Sequence, residues 1–268
     1  MRVFRGFDNL PTFIHAVATM GSFDGVHRGH KVLLQRTISL AKERGGESIV
    51  LTFEPHPRYV LGTAEGMQLL STLEEKLWLL EQEGIDNVII IPFTKEFSRL
   101  KPQEFIEQDV AGIGVESFVV GYNHRFGHNK AGDYSSLKES DTKLEIHRVE
   151  QQLLDEGKVS STVVRQRVEQ GDMVMTERLL SHPYIIIGEI DKQGYICSID
   201  KNKLLPPTGK YEAILRPTGY NNNLDISNIE NLSKVLLEVN ENRTLIINSA
   251  EEYHSLKVIL EITGDKLL

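Results

Sequence analysis

The chain has 268 residues, 40% of them hydrophobic and 25% charged, a globular composition that excludes the disordered and fibrous classes. Its formal net charge of -8 at pH 7 argues against a nucleic-acid-binding protein, because that work usually requires a basic surplus. Cys197 is the single cysteine, which excludes an internal disulfide and a zinc site of several thiolates and predicts a reducing, cytoplasmic environment.

The apolar runs of the chain are too short to cross a membrane. A transmembrane helix needs about 20 consecutive apolar residues, whereas a run such as 88–91 has only a few. Residues 1–11 lack the apolar stretch of a signal peptide. We therefore expect no membrane association.

Short apolar runs alternate with helical patterns through the first two thirds of the chain. Helical spacing of apolar residues is found over 32–41, before Gly45, and over 73–80, before Gly84. This alternation predicts an α/β fold with a parallel sheet, whose ligands bind where the strands end at their carboxyl side. The predicted strands are 16–20, 49–53, 88–91 and 118–120.

The pattern changes near His182 and Pro183 to short β-like runs separated by loops rich in Gly, Pro and Asn. The sequence therefore predicts two domains, residues 1–182 and residues 183–268. The β-like runs of the second are 184–187, 210–215, 244–248 and 257–262.

The turn after the first predicted strand contains a His-X-Gly-His element, His27 to His30, at the start of a helix. A glycine-rich turn and a helix N-terminus present backbone N–H groups that bind phosphate, and the two imidazoles can donate to the oxygens of one triphosphate. Two ordinary surface histidines are the structural alternative. Zinc binding is disfavoured because the nearby sequence offers no third and fourth ligand.

Two further turns carry unusual chemistry. Phe53-Glu54-Pro55-His56-Pro57 ends the second predicted strand, and its prolines predict a stiff wall that does not continue the ladder. The loop 121–133 after the fourth strand combines three glycines with Asn123, two histidines and two cations, which suits an anionic ligand. Purely structural turns are the alternative for both.

A second helix start follows at Ser160-Ser161-Thr162, with Arg165 about one turn later. Serine is a favourable helix cap, and hydroxyls, N–H groups and a guanidinium on one turn can face the same phosphates. A plain capped helix with a solvated arginine is the alternative reading.

Together these motifs resemble the prokaryotic FAD synthetases, the bifunctional riboflavin kinase and FMN adenylyltransferase family. The resemblance runs in motif order from about residue 19 to residue 184 and rests on Phe23-Asp24-Gly25-Val26-His27 with Gly29-His30, on Phe53 to Pro57, and on the Ser-Ser-Thr-X-X-Arg element. It implies a Rossmann-like nucleotidylyltransferase domain that joins AMP from ATP to FMN, with Mg²⁺ carried by ATP.

The resemblance also implies residue roles. His30, His27 and Arg165 would be catalytic, and Asp24 is expected to brace the first turn. The FMN site would comprise Phe53, Pro55, His56, Pro57 and Asn123. The ATP site would comprise Gly21, Phe23, Asp24, Gly25, His27, Gly29, His30, Asn123, Ser160, Ser161, Thr162 and Arg165.

The second domain departs from the family pattern. The family's kinase barrel carries Pro-Thr-Ala-Asn after its first strand, but here 184–190 is followed by Asp191-Lys192-Gln193-Gly194. The later Pro-X-Gly-X-Tyr turn is kept as 207–211. We therefore expect a degenerate β-barrel that has lost riboflavin kinase activity and serves in packing or self-association.

Three alternatives remain open from the sequence. The chain could be a bifunctional kinase and adenylyltransferase with a rebuilt loop, or an adenylyltransferase for a different phosphate acceptor. It could also be a non-catalytic flavin-nucleotide sensor, although a sensor has no need for groups aimed at a leaving pyrophosphate.

Overall fold

The computed structural model of the protein describes residues 1–122, 127, 132, 134–138, 142–150, 153–154, 157–218, 232–248 and 256–267. The chain divides into two compact units. The first comprises Met1–Met67 and Leu77–Lys158, and the second comprises Gln68–Lys76 and Val159–Leu268. The domain boundary at 182–183 stays a prediction drawn from the sequence patterns.

The first unit is built on a six-stranded sheet in the order β1-β4-β3-β2-β5-β6, in which every pair of neighbours is parallel. Its central strands are buried on both faces, as parallel sheets require. The strands are β1 Arg2–Arg5, β2 Ala16–Met20, β3 Ser48–Glu54, β4 Asn87–Pro92, β5 Val115–Gly121 and β6 Glu145–Val149. A separate antiparallel pair is formed by β7 Leu153–Leu154 and β8 Gly157–Lys158.

Helices connect these strands. The chain enters the longest described helix, α1, at Arg28 and leaves it at Glu43, where Gly45 has a φ of 64° that suits glycine. The helices up to β6 are α1 Arg28–Glu43, α2 Pro57–Val60, α3 Leu73–Gln82, α4 Pro102–Glu104 and α5 Tyr134–Lys138, with a π-helical turn Phe105–Val110 and 3-10 turns Phe97–Arg99 and Ala111–Ile113.

One hydrophobic cluster of the first unit packs the side chains of the central strands against the segment 105–110. Its members include Ile49, Ile89 and Phe118, each fully buried. Burying a side chain of this size stabilises a fold by about 1.5–3 kcal/mol, so the sheet forms a rigid base for the turns at its edge.

Helix α3 starts with a reciprocal pair of capping bonds. The Glu75 backbone N–H donates to Thr72 Oγ1 at 3.2 Å, and the Thr72 N–H donates to Glu75 Oε2 at 2.8 Å. This capping box satisfies two N–H groups that a helix start leaves without an intrahelical partner. The division between the two compact units falls within this helix.

The second unit contains α6, α7 and a closed antiparallel barrel in the order β10-β13-β12-β11-β14-β9. Helix α6 ends at Gly171, whose φ of 75° is the left-handed conformation that glycine adopts without strain. The elements are α6 Ser161–Gln170, α7 Met173–Leu180, β9 Tyr184–Ile190, β10 Tyr195–Cys197, β11 Gly209–Pro217, β12 Ser233–Val239, β13 Leu245–Asn248 and β14 Lys257–Ile262.

The predicted fold class is confirmed: a Rossmann-like parallel α/β sheet precedes a small β-barrel. The sequence patterns missed β1, β6, β10, β12 and the short pair β7 and β8. β1 and β6 lie at the two edges of the sheet, where several residues are exposed and no continuous apolar run marks the strand. Among the described residues, no helix has both the length and the apolar character to cross a bilayer.

Candidate active site

The turns singled out in the sequence lie side by side on the sheet. β3, β2 and β5 are neighbours in that order, so the segments after Glu54, Met20 and Gly121 leave the same carboxyl edge. The chain runs from β2 through β3 to β4 on one side and places β5 on the other side of β2. The crevice at this switch point is where open α/β sheets bind ligands.

The turn after β2 has a strained backbone. Phe23 has a φ of 47° and Val26 a φ of 40°, both in the left-handed region, with Gly25 between them at 78°. Such a conformation costs a non-glycine residue about 1–3 kcal/mol, and strain of this kind clusters at functional sites. The turn is closed by the Val26 N–H, which donates to the Phe23 carbonyl oxygen at 3.1 Å.

Asp24 is buried in the same turn, with 1% of its surface exposed. A buried carboxylate needs hydrogen-bond partners or a paired charge, and a position inside the turn agrees with the bracing role predicted for it. That role stays a prediction.

The histidine pair forms the start of α1. His27 is the N-cap, and its Nδ1 accepts a hydrogen bond from the His30 backbone N–H at 3.3 Å. Since Nδ1 is the acceptor, the neutral His27 ring carries its proton on Nε2. His27 therefore combines a structural bond on one ring nitrogen with a donor on the other.

The two imidazole rings are stacked. Their centroids are 3.6 Å apart and the ring planes differ by 11°. His27 is 6% exposed and His30 is half-buried, so neither is an ordinary surface histidine. The first helical turn of α1 contains no acidic residue, so no carboxylate of that turn offsets the positive end of the helix dipole.

The ring of Phe23 lies against His30. Their centroids are 5.2 Å apart with an angle of 63° between the planes, and the Phe23 side chain is fully buried. Any contact of Phe23 with a nucleotide would therefore be made by its backbone. Gly21 permits this packing, because a Cβ atom at residue 21 would lie 3.2 Å from the Phe23 ring.

The turn after β3 begins where the prolines predicted the ladder to stop, at Glu54. Pro55 is exposed and Pro57 starts the short helix α2. His56 is buried, and its Nδ1 accepts a hydrogen bond from the Arg58 N–H at 3.2 Å as the cap of α2. In this predicted rigid segment, Pro55 is therefore exposed to solvent, and the His56 ring stabilises the turn through its hydrogen bond to the Arg58 N–H.

A group of phenylalanine rings adjoins this turn. Phe53 at the end of β3 contacts Phe93 and Phe97, with centroid distances of 5.3 Å and 5.9 Å, and Phe93 and Phe97 are 5.6 Å apart. Phe93 and Phe97 are only half-buried. The sequence interpretation missed both, although two phenylalanines four residues apart after a buried strand could have indicated them.

The loop after β5 is described only in part. Gly121 ends the strand, and the half-exposed Tyr122 ring is contacted by the Arg148 guanidinium at 4.8 Å from the ring centroid. Asn123, predicted for both the ATP and the FMN sites, lies outside the described residues.

The Ser-Ser-Thr-X-X-Arg element belongs to the second unit. Ser160 is confirmed as a helix cap, because its Oγ accepts a hydrogen bond from the Val163 N–H at 3.4 Å; Ser161 is the first residue of α6 and Thr162 is exposed. Arg165 is 9% exposed, and its Nε donates to the Gln68 carbonyl oxygen at 2.7 Å. The solvated arginine considered as an alternative is therefore excluded.

No group of three or more His, Cys, Asp or Glu side chains suited to holding a metal ion occurs within the part of the chain that the structure describes. Mg²⁺ usually keeps several waters and is bound through one or two carboxylates with substrate phosphates. Among the residues predicted for the site, Asp24 in the first turn is the carboxylate that lies nearest to the histidine pair in sequence.

A cavity of about 680 Å³ lies at the opposite end of the sheet, where β2, β5 and β6 begin. Its charged lining is largely paired: His15 Nδ1 lies 2.9 Å from Glu116, and Arg44 contacts both Glu116 and Glu145. We place the candidate site at the carboxyl edge because the helix start, the histidine pair and the aromatic surface are found there.

Comparison with known proteins identifies relatives over most of the chain. The FAD synthetase family model matches residues 11–163. A bifunctional riboflavin kinase/FMN adenylyltransferase from Listeria monocytogenes is 31% identical over 220 residues, 78% of this chain and 70% of the relative. One from Escherichia coli K12 is 34% identical over 71% of this chain and 62% of the relative. A FAD synthetase from Listeria monocytogenes is 30% identical over 74% of this chain and 80% of the relative.

A solved structure also shares the fold. A crystal structure described as a macrolide-efflux protein from Streptococcus pneumoniae superposes over 100% of both chains with a TM-score of 0.83 and 19% sequence identity. At this identity the likeness shows the fold alone.

Proposed function

The chain belongs to the FAD synthetase family of nucleotidyltransferases, and we propose that it transfers the adenylyl group of ATP to FMN, giving FAD and pyrophosphate. One observation carries the proposal. The stacked pair His27 and His30 starts α1 at the carboxyl end of β2, at the switch point of the sheet. This arrangement presents imidazole donors and helix N–H groups together to a polyphosphate.

The proposed reaction is a direct displacement at phosphorus. An oxygen of the FMN phosphate attacks the α-phosphorus of ATP, and the bond from that phosphorus to the oxygen it shares with the β-phosphorus breaks in line with the attack, so that pyrophosphate leaves. The acceptor is already an anion, so no strong base is required. Catalysis then depends on positioning and on neutralising charge, as in other phosphoryl transfers.

His30 is assigned to the charge that develops at the α-phosphate and the leaving pyrophosphate. The N–H groups at the start of α1 and the Nε2 proton of His27 hold the phosphates. The capping bond on Nδ1 of His27 supports this role, because it leaves the proton on the other nitrogen. ATP enters as its Mg²⁺ complex, so the metal is part of the substrate.

The element at the start of α6 is assigned to the β- and γ-phosphates of ATP, following the family resemblance. Ser160 caps the helix, which leaves its N-terminal N–H groups oriented by a formed turn. Arg165 is held by the Gln68 carbonyl at 2.7 Å, and a guanidinium fixed in this way loses little further freedom on binding an anion.

The half-buried rings of Phe93 and Phe97, which pack against the buried Phe53, support FMN as the acceptor. Half-buried rings next to the exposed Pro55 offer apolar, flat surface to an isoalloxazine ring. Another mononucleotide with a smaller ring system, or a phosphopantetheine, would gain less from that surface.

We further propose that riboflavin kinase activity is lost. The connection between β9 and β10 is a tight turn in which Asp191 Oδ1 accepts from the N–H groups of Gln193 and Tyr195 at 2.8 Å and 2.9 Å. Asp200 accepts from the Asn202 N–H in the same manner at 2.7 Å. Carboxylates used to brace turns are poorly suited to rebuild the missing loop, and an alcohol acceptor must pass its proton to a positioned base.

One assay tests both proposals. Purified full-length protein is given ATP and Mg²⁺ with either FMN or riboflavin, and the flavins are separated by chromatography. We expect multiple turnovers of FMN to FAD and no accumulation of FMN or FAD from riboflavin. FAD that binds tightly but is not formed would favour the sensor, and turnover of riboflavin would show that the enzyme is bifunctional.

Replacement of His30 tests its proposed role in stabilising the charge that develops during adenylyl transfer. His30→Ala should lower the turnover number for FAD synthesis by about 100- to 1000-fold, as removal of one charge-stabilising donor does in other enzymes. Circular dichroism of the variant should match the wild type, because the side chain lies at a helix start and not in the core. Near-full activity of a folded His30→Ala protein would refute the assignment.

A further inference from the structure

The ring of His30 packs against Phe23, whose side chain is too deeply buried to contact a substrate. Phe23 is fully buried, and its ring contacts the His30 ring with centroids 5.2 Å apart and planes at 63°. His30 is also stacked on His27, with centroids 3.6 Å apart. Two rings in roughly perpendicular and parallel contact restrict rotation of the imidazole about its side-chain torsions.

The backbone of Phe23 has a conformation that is unfavourable for an aromatic residue. Its φ of 47° lies in the left-handed region, which glycine adopts without strain and aromatic residues rarely adopt. The neighbouring Gly21 leaves the room in which the Phe23 ring lies, since a Cβ there would approach Phe23 Cε2 to 3.2 Å. The turn thus accommodates a strained phenylalanine where a glycine would fold more easily.

We propose that Phe23 is a positioning residue, whose buried ring holds the His30 imidazole in the orientation that adenylyl transfer requires. This inference rests on the proposed function, because it assigns the role through His30. A misplacement of about 1 Å in a catalytic group can cost on the order of 100-fold in rate. The rate gained from a fixed orientation of the His30 ring would exceed the free-energy cost of the strained Phe23 backbone.

The kinetic test compares two buried phenylalanines of the same unit. Phe118 on β5 is also fully buried and provides the matched control. We expect Phe23→Leu to lower kcat for FAD synthesis by about 10- to 100-fold with the KM for ATP changed by less than about twofold. Phe118→Leu should leave kcat within about threefold of the wild type at a similar loss of thermal stability.

A second variant keeps the test informative if Phe23→Leu does not fold. Phe23→Gly suits the left-handed backbone and removes the whole side chain, including the ring that contacts His30. It should fold at least as readily as Phe23→Leu and show the same selective fall in kcat. Equal kcat values for the Phe23 and Phe118 variants would overturn the proposal.

A measurement without substrate separates this proposal from the proposed function. NMR relaxation of the His30 Cε1–H group, assigned by its loss in His30→Gln, reports motion of the ring in the nucleotide-free protein. The order parameter should fall in Phe23→Leu and Phe23→Gly and stay unchanged in Phe118→Leu. Unchanged ring order in the Phe23 variants overturns the positioning role, whereas a wild type that forms no FAD overturns only the proposed function.

Discussion

His27 combines a structural hydrogen bond with the phosphate contact proposed for it. Its Nδ1 caps α1, its ring stacks on His30 at 3.6 Å, and its Nε2 carries the proton of the neutral ring. Two charged imidazoles this close would repel by about 4 kcal/mol at an effective dielectric constant of about 20. The stacked arrangement therefore disfavours a positive charge on both rings at once.

A different histidine links stability to pH. His147 on β6 is mostly buried, and desolvation lowers its pKa below the ordinary value of 6.5. Glu145 and Glu43 oppose this shift, whereas Arg36 and Arg44 reinforce it. Because the pKa is lower in the folded chain, the unfolded chain takes up the proton first as the pH falls.

We expect this group to lower stability on acidification. The contribution of neutral His147 is fully present above pH 6.5 and is lost as the pH falls from 6.5 through the lower pKa of the folded state. Between pH 7.5 and pH 5.5 the melting temperature of the wild type should therefore fall further than that of His147→Gln. Parallel losses in the two proteins would contradict the prediction.

A buried ion pair fastens the segment 68–76 to the barrel elements of the second unit. Lys203 and Glu75 are fully buried, with Nζ and Oε2 2.8 Å apart. Lys203 Nζ also donates to the carbonyl oxygens of Leu70 and Ile185, and Glu75 Oε1 accepts from the Ile187 N–H at 3.0 Å. Removing one charge from such a network strongly destabilises the folded protein, because the other charge is left buried without a partner.

Lys203→Met should lower the free energy of unfolding by about 3–5 kcal/mol, because it leaves the Glu75 carboxylate buried without its counter-charge. The double variant Glu75→Gln/Lys203→Met removes both charges and should recover much of that loss. Lys210→Met breaks an exposed pair with Glu238 and should cost only about 0–1 kcal/mol. Urea unfolding measures all three, and a single Lys203 variant as stable as the double one would refute the expectation.

Across the whole chain, one compact unit brings together segments that are distant in sequence. The segment 68–76 and the helices α6 and α7 belong with the barrel, and not with the sheet that surrounds the segment in sequence. The Leu69 N–H donates to the Asn202 carbonyl at 2.7 Å, and the Leu204 N–H donates to the Leu69 carbonyl at 2.8 Å. The element Ser160 to Arg165 is thus part of the same compact unit as the barrel.

Native-state hydrogen exchange should reveal this grouping. In Lys203→Met, the Leu69 and Ile187 amides should exchange faster by a similar factor of about 100 or more, at about 1.4 kcal/mol per tenfold change. The amides of Val17 and Ala18 on β2 belong to the first unit and should keep their wild-type rates. Equal acceleration in β2 would show that the chain opens as one cooperative body.

Local patterns were sufficient to predict the buried strands β2 to β5, the helix α1 and several barrel strands. Apolar periodicity records which faces are buried, and Gly45 and Gly84 mark where helices end. The histidine pair was also predictable, because its spacing, the preceding glycines and the helix start are all encoded within ten residues. The parallel sheet then followed from the alternation of elements.

Other features depend on contacts between residues far apart in the chain. β1 has a largely exposed pattern and becomes a strand through its pairing with β4. The partnership of Lys203 with Glu75 and the left-handed turn that brings Phe23 against His30 leave no periodic signal in the sequence. Periodicity reports burial along one element, whereas these features arise from long-range hydrogen bonds, ion pairs and ring contacts that exist only once the chain has folded.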